Sequence, residues 1–328
     1  MGWVMTRRNR KKKFSIGKKV LLGFLSFICV LVLVGSIVIT NLSSKINTVE
    51  IDRSFVTDTG TEPIKEEKDV ITIALLGSDF PYDKSNLGAS DATMILSIDT
   101  KKNNIKLLSL MRDIYLDLPD GGKENLNYTL VTGGAELLLK TINYNFNLQV
   151  DKFVHVSLHT LPTIIDKLGG VELDITNEEL NFINGYINSI DNENGTSTEP
   201  LYSAGRQVLN GTQAAAYCRI RYTEGRDYKR TERQRDVLSA IFDKFKNISI
   251  TEVPGLINDL LPLVSTNMTT SEMLSIATKA LGTGVSHIEQ GRFPLDEHHY
   301  AEWTDMYHMI VDIDATTEEI HKFIYSTE

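Results

Sequence analysis

Short apolar runs closed by turn signals organise most of the chain, and their period predicts strands alternating with helices. Val70 to Leu76 is almost continuously apolar and ends in Gly77-Ser78-Asp79, as a buried strand feeding a loop does. Met94 to Ile98 and Ile105 to Leu110 predict two more strands, joined by the turn Asp99-Thr100-Lys101-Lys102-Asn103-Asn104. A helix is expected over Gly134 to Phe146, a strand over Phe153 to Ser157, a helix over Leu161 to Leu168 and, after Gly169-Gly170, a strand over Val171 to Ile175. Helices follow at Thr212 to Tyr217, Thr231 to Lys246, Val253 to Leu263 and Ser271 to Leu281. Strands around Ile288 to Pro294 and Tyr307 to Asp312 and a helix near Thr317 to Tyr325 close the chain. Residues 188–203 carry almost no apolar pattern and predict an exposed loop. The alternation predicts an α/β fold, a mixed central β-sheet flanked by helices on both faces.

One apolar run differs from all of these. Val20 to Thr40 holds 21 residues without a charge, which as a helix would span roughly 31 Å, the thickness of a bilayer core. It exceeds the apolar part of a secretory signal, and Asn41-Leu42-Ser43-Ser44-Lys45 offers no small-residue cleavage site, so an uncleaved transmembrane helix is expected rather than a cleaved signal. Charge orients it. The chain has 34 basic and 43 acidic side chains, a net −9; eight of the basic ones and none of the acidic ones lie in residues 1–40, which leaves −17 on the other 288. The positive-inside rule then predicts a single-pass type II protein: a cytoplasmic basic tail (1–19), the span (20–40), a polar stalk (41–68) and one extracellular domain (69–328). The acidic balance excludes a general nucleic-acid binder, and Cys29 and Cys218 form neither a disulfide framework nor a paired zinc spacing.

Against that acidic background, six arginines fall between Arg219 and Arg235. If Cys218 to Tyr222 is extended, alternation puts Arg219 and Arg221 on one face. On the following helix Arg230 and Gln234 share a stripe of about 80° with Val237, Ile241 and Phe245, whereas Arg233 and Arg235 fall at its edges and are expected to be solvated. A buried-stripe arginine needs an anion. A structural ion-pair cluster with Glu224, Asp227 and Glu232 is the alternative to a ligand site. Asp79, ending Gly77-Ser78-Asp79, and Asp91, in Ala89-Ser90-Asp91-Ala92-Thr93, add two hard oxygen ligands at strand-end loops, a set that suits magnesium, and Arg112 follows the third strand. Carboxylates for a metal and arginines for oxyanions outline a diphosphate site.

The order LLGSD, SDATMILSID, LSLMRDIYLDLP, a Gly133-Gly134 helix start, DKFVHVSLHTLPTIIDKLGGVELDI, AGRQVLNGTQAAAYCRIRY and DYKRTERQRDVL resembles the LytR-CpsA-Psr family over roughly residues 70–246. The resemblance implies a membrane-anchored phosphotransferase that moves an anionic glycopolymer, such as wall teichoic acid or capsule, from an undecaprenyl diphosphate carrier onto a peptidoglycan acceptor. It implies Mg2+ held by Asp79 and Asp91, and a diphosphate gripped by Arg112, Arg219, Arg221, Arg230 and Gln234. Asp227 matches an acidic position of the final motif and joins Asp79, Asp91 and Arg112 as a candidate catalytic residue. Gly88-Ala89 stands where the family often has an arginine before Ser-Asp, and Met111 replaces a usual proline. The lipid requires an apolar tunnel, for which residues 153–165, 237–245 and 253–264 are candidates. The competing functions are a non-catalytic lipid or wall binder, a transcriptional attenuator, and a polyprenyl diphosphate hydrolase.

The topology has a direct test. Protease added to intact, wall-stripped cells is expected to destroy the domain; protection that persists until lysis would reverse the orientation.

Overall fold

The computed structural model describes residues 46–60, 69–80, 88–246 and 253–326. The expected span at 20–40 lies outside them. In chain order the elements are β1 (Asn47–Thr48), α1 (Arg53–Thr57), β2 (Val70–Ser78), β3 (Ser90–Asp99), β4 (Asn104–Leu110), β5 (Tyr115–Asp117), β6 (Lys123–Asn125) and α2 (Leu126–Phe146). There follow β7 (Phe153–Ser157), α3 (Leu161–Lys167), β8 (Val171–Ile175), α4 (Asn177–Asn194), β9 (Gly205–Leu209), α5 (Gly211–Arg219) and α6 (Arg226–Lys246). The last are α7 (Val253–Leu260), β10 (Ser265–Thr266), α8 (Thr270–Gly282), β11 (Glu289–Phe293), β12 (His299–Trp303), β13 (Tyr307–Val311) and α9 (Ile313–Tyr325).

Seven strands form the central sheet in the order β1-β10-β7-β2-β3-β4-β11. It is mixed: β2 runs antiparallel to β3 and β3 to β4, while β7 is parallel to β2 and β11 to β4. Period-two alternation gives the sheet two buried faces. Ala74, Ile95 and Phe153 join one core with α2 and α9, through Leu138, Ile142 and Ile320. Their neighbours Leu75, Met94 and Val154 point to the other face, toward Val237 and Leu238 of α6. A second core holds α3, α4, α5 and α6 together around Ile165, Ile183, Ile187, Ala215 and Val237. The expected sheet with helices on both faces is therefore present.

Four local expectations are corrected. Residues 46–57, expected in the stalk, belong to the body: β1 extends the sheet, and Val56 of α1 is fully buried in the first core. The helix expected from Gly134 starts at Leu126 and carries a break at Gly133-Gly134, where Gly134 takes φ +68°, a conformation open to glycine. The loop expected at 188–203 is helical up to Asn194. Its helix α4 opens with a reciprocal Thr176/Glu179 capping box and buries Ile183, Ile187 and Ile190. Cys218 to Tyr222 is not a strand, because Cys218 and Arg219 form the last turn of α5.

Helix α6 brings the other correction. Arg230 and Gln234 are buried as expected, but Arg233 and Arg235, expected in solvent, are only 3% and 7% exposed. Arg233 donates to Glu179 Oε1 at 2.7 Å, the Ile220 carbonyl at 3.1 Å and Thr223 Oγ1 at 2.6 Å, tying α6 to α4 and the preceding turn. Arg235 reaches Ser109 Oγ at 2.9 Å and Gln290 Oε1 at 3.2 Å on β4 and β11. Covered by the sheet on one side and by α4 on the other, the helix leaves a strip with Lys229, Glu232 and Asp243 in solvent, so its buried arc is wider than the apolar stripe and takes in both arginines. Arg233→Ala would strand Glu179 as a buried unpaired charge, and is expected to lower unfolding free energy by about 3–5 kcal/mol in denaturant titration. Arg206→Ala, which removes an exposed partner of Glu172, should leave the midpoint in place.

Candidate functional site

The site grows from the ends of β2 and β3. The two strands are antiparallel neighbours whose register shifts between Gly77 and Ser78, so that Ser78 pairs with Ser90. Asp79, exposed, and Asp91, half-buried, thereby stand at one end of the sheet. Buried hydroxyls hold both turns. Ser78 Oγ donates to the Phe80 carbonyl at 2.8 Å and therefore accepts from His155 Nε2, also at 2.8 Å. Ser90 Oγ donates to the Ala92 carbonyl at 2.9 Å and lies 2.9 Å from Thr93 Oγ1. Burial pushes the His155 imidazole down from 6.5 to about 4, so it stays neutral under the Asp79 loop.

Three arginines, from the loop after β4, the turn after α5 and helix α6, meet on Asp91. Arg112, in the loop after β4, donates to Asp91 Oδ1. Arg221 Nη2 stands 3.6 Å and Arg230 Nη1 3.5 Å from the same oxygen. Arg230 also pairs with Asp227 through Nε at 2.9 Å, and Arg112 Nε lies 3.8 Å from Asp227 and 3.5 Å from Asp113. The tight turn that aims this group places Gly225 and Arg226 at φ +81° and +43° just ahead of Asp227. Arg219 lines the same cavity but holds Glu193 at 3.2 Å, and Arg206 stays apart on Glu172 at 3.0 Å. Burial pushes the Arg221 guanidinium below its usual value, with Arg230 and Arg112 adding to the effect. Burial pushes the Asp113 carboxyl up; Arg112 opposes and Asp227 reinforces the shift.

Two adjoining cavities complete the arrangement. A polar one of about 270 Å³ is lined by Asp79, Asp91, Arg219, Arg221, Arg230 and Gln234. An apolar one of about 160 Å³ lies between the sheet and α6, walled by Leu75, Met94, Val154, Val156, Val237 and Leu238. Both touch Leu158, Cys218 and Gln234. Gln234 Oε1 is buried without a hydrogen-bond partner, an orphaned acceptor at the junction. Burial pushes the Cys218 thiol up to about 12, so this wall is uncharged. Of the expected tunnel segments, 153–165 and 237–245 contribute walls, and among the described residues 253–264 contributes none. Sequence reasoning missed the share of β2 and β3, and it missed Tyr186 and Tyr222 in the polar cavity. The signal for Tyr186 was the spacing of Leu180, Ile183, Ile187 and Ile190 behind the Thr176/Glu179 box.

Among the described residues no group of three or more His, Cys, Asp and Glu side chains forms a metal cage. Asp79 and Asp91 could contribute two oxygen donors at one cavity, and the arginine contacts to Asp91 all fall on Oδ1. That donor set fits a magnesium ion completed by phosphate oxygens and water.

A mixed α/β domain whose clustered arginines and aspartates adjoin an apolar cavity under one helix defines the class. Residues 38–322 match the LytR_cpsA_psr family, and the chain belongs to it. A relative from Enterococcus faecalis, polyisoprenyl-teichoic acid–peptidoglycan teichoic acid transferase TagU, is 31% identical over 206 residues, 62% of each chain. The TagU of Bacillus mycoides is 25% identical over 312 residues, covering 92% of this chain and 95% of that one. A solved structure described as TagT bound to LIIa-WTA covers 85% of this chain and all of its own, with a TM-score of 0.65 at 21% identity, which shows the shared fold. TagT with bound octaprenyl pyrophosphate lipid superposes with a TM-score of 0.61 at 21% identity, over 85% of this chain and 100% of that one.

The buried histidine gives a test of the floor beneath Asp79. Its folded value, about 4, lies below the unfolded 6.5, so the unfolded chain binds the extra proton. The stability it supports is complete above pH 6.5 and is lost as pH falls from 6.5 to 4. In His155→Gln the loss of unfolding free energy across that window should shrink by about 3 kcal/mol in denaturant titrations at the two pH values.

Proposed function

We propose that the chain transfers an anionic glycopolymer, of wall teichoic acid or capsule type, from undecaprenyl diphosphate to peptidoglycan, with Mg2+ held by Asp79 and Asp91. The observation that carries this reading is the junction of the two cavities: the arginine cluster opens beside an apolar pocket, the two halves of a polyprenyl diphosphate. The names of the relatives, which couple a polyisoprenyl-linked teichoic acid to peptidoglycan, support it.

Charge balance supports a metal in this reading. Arg112, Arg219, Arg221 and Arg230 are already matched by Asp79, Asp91, Asp113, Asp227 and Glu193. An added diphosphate would leave the cavity strongly negative unless it arrives with a cation. When bound, magnesium supplies a Lewis acid that neutralises the diphosphate and polarises its phosphoryl oxygens. Helix α6 orders the remaining groups along its length: Asp227, Arg230, Gln234 and Leu238. At 1.5 Å per residue they cover roughly 17 Å. The polyprenyl chain enters at the Val237 and Leu238 end, the Gln234 amide meets the phosphates at the junction, and Arg230, Arg221 and Arg112 grip their oxygens by exchanging part of their contact with Asp91. A muramic acid hydroxyl forms the new O–P bond to the phosphorus nearest the polymer. The bridging P–O bond breaks, undecaprenyl phosphate leaves with the electron pair, and the hydroxyl proton passes to the Asp113/Asp227 pair.

The arginines make the reading quantitative. Alanine at Arg112, Arg221 or Arg230 is expected to weaken binding of a polyprenyl diphosphate by about tenfold to a hundredfold and to reduce transfer at least as much. Lysine should restore little, since it lacks the planar fork. Arg206→Ala is the control and should bind as the parent does. Assay with a lipid-linked donor and peptidoglycan oligomers separates the competing functions: released polymer would mark a hydrolase, and binding without product a non-catalytic or regulatory protein.

A further inference from the structure

We propose that the β12–β13 hairpin is the acceptor subsite, with Trp303 and Tyr307 stacking on a sugar ring of the peptidoglycan strand; this rests on the phosphotransfer reading above. In-line displacement requires the attacking hydroxyl to approach opposite the leaving lipid phosphate. The apolar cavity sits at the Gln234–Leu238 end of α6, so the acceptor enters from the Asp227 end.

The hairpin is fastened at that end. The Tyr228 hydroxyl, next to Asp227, is 2.7 Å from His299 Nε2 at the start of β12, and the Met309 N–H of β13 donates to the Asp113 carbonyl at 2.8 Å. Both segments that carry the paired carboxylates are thus bonded to this hairpin. Strand alternation places His299 and Trp303 on one face with Tyr307 and Met309 of the partner strand. Trp303 lies opposite Tyr307 with ring centroids 5.2 Å apart. Tyr307 packs against the first core, and its hydroxyl is pushed up by burial and then by Tyr228, Asp113 and Asp227, which marks it as a neighbour of the site. Trp303, by contrast, is 75% exposed.

Core packing does not account for a tryptophan left in solvent beside a reactive cluster. A pyranose presents an apolar face of C–H groups and a rim of hydroxyls, and an aromatic ring supported from below by another aromatic matches it. The continuity from Asp113 and Asp227 through Tyr228 and Tyr307 to Trp303 gives the glycan a path from the reacting hydroxyl outward.

The chain has two tryptophans, Trp3 and Trp303, so in a Trp3→Phe background the full chain in detergent reports on Trp303 alone. Its emission is expected to change saturably on titration with uncrosslinked peptidoglycan oligosaccharides without donor. In transfer assays Trp303→Ala should raise the acceptor KM about tenfold while kcat and the donor KM stay within about twofold, and Trp303→Phe should retain most of the acceptor affinity. An unchanged acceptor KM in Trp303→Ala would overturn the subsite, as would emission that ignores the oligosaccharides or answers only to phosphatidylglycerol vesicles. Absence of any transfer by the parent protein, alongside saturable emission, would instead refute the phosphotransfer reading and support a saccharide site.

Discussion

Three guanidinium groups gathered around one carboxylate set the geometry on which the rest depends. Arg112, Arg221 and Arg230 all face Asp91 Oδ1; Arg112 and the buried Arg230 share Asp227 as a second partner, and Arg221 keeps one side in solvent. Because Arg112 comes from the loop after β4, Arg221 from the turn after α5 and Arg230 from α6, the cluster forms only when the sheet end and both helices are docked. Arg233 and Glu179 lock that turn from behind, and Glu178 accepts from the Glu224 backbone at 2.8 Å. The ion pairs are thus a structural latch, and in the proposed reaction the same guanidinium surfaces that meet Asp91 would meet phosphate oxygens.

Much of this was legible from residue order. The strands Phe153–Ser157 and Val171–Ile175 fall where the apolar pattern set them, because every second residue of each is buried and that alternation is a strong short-range signal. Arg230 and Gln234 were placed on the buried stripe by helical spacing alone, and Asp79 and Asp91 reached one cavity because they end adjacent strands. What stayed hidden depends on partners far along the chain. Arg233 meets Glu179, 54 residues away, and Arg235 meets Ser109, 126 residues away. No local wheel contains that information. Helix α4 was hidden for another reason: its asparagines and acids mask the spacing of Ile183, Ile187 and Ile190, so the capping box carried more signal than composition.

The apolar cavity is a consequence of how α6 crosses the sheet. Gly77 and Ala92, paired in register on β2 and β3, carry almost no side chain, and a Cβ added at Gly77 would stand 3.2 Å from that of Ala92. Small residues at the sheet end, facing Val237 and Leu238, leave space that larger side chains would fill. The cavity is therefore written into the same stretch that carries Asp79 and Asp91, and polar and apolar halves of the site are fixed together.

The two departures from the family pattern have different physical standing. Met111 is buried in the first core, and its backbone N–H donates to the Phe293 carbonyl at 3.0 Å, a bond a proline could not make. The substitution thus continues the β4–β11 ladder into the loop that carries Arg112. Ala89 stands in place of a cation just before Ser90-Asp91, where three guanidinium groups already crowd one oxygen and Arg221 is held below its usual value by burial, Arg230 and Arg112. A fourth cation there would deepen that repulsion. Its loss relaxes the cluster, and in the proposed reaction it would leave more of the diphosphate charge for a metal and the remaining arginines to offset, so dependence on the metal would be stronger here than where the arginine is kept.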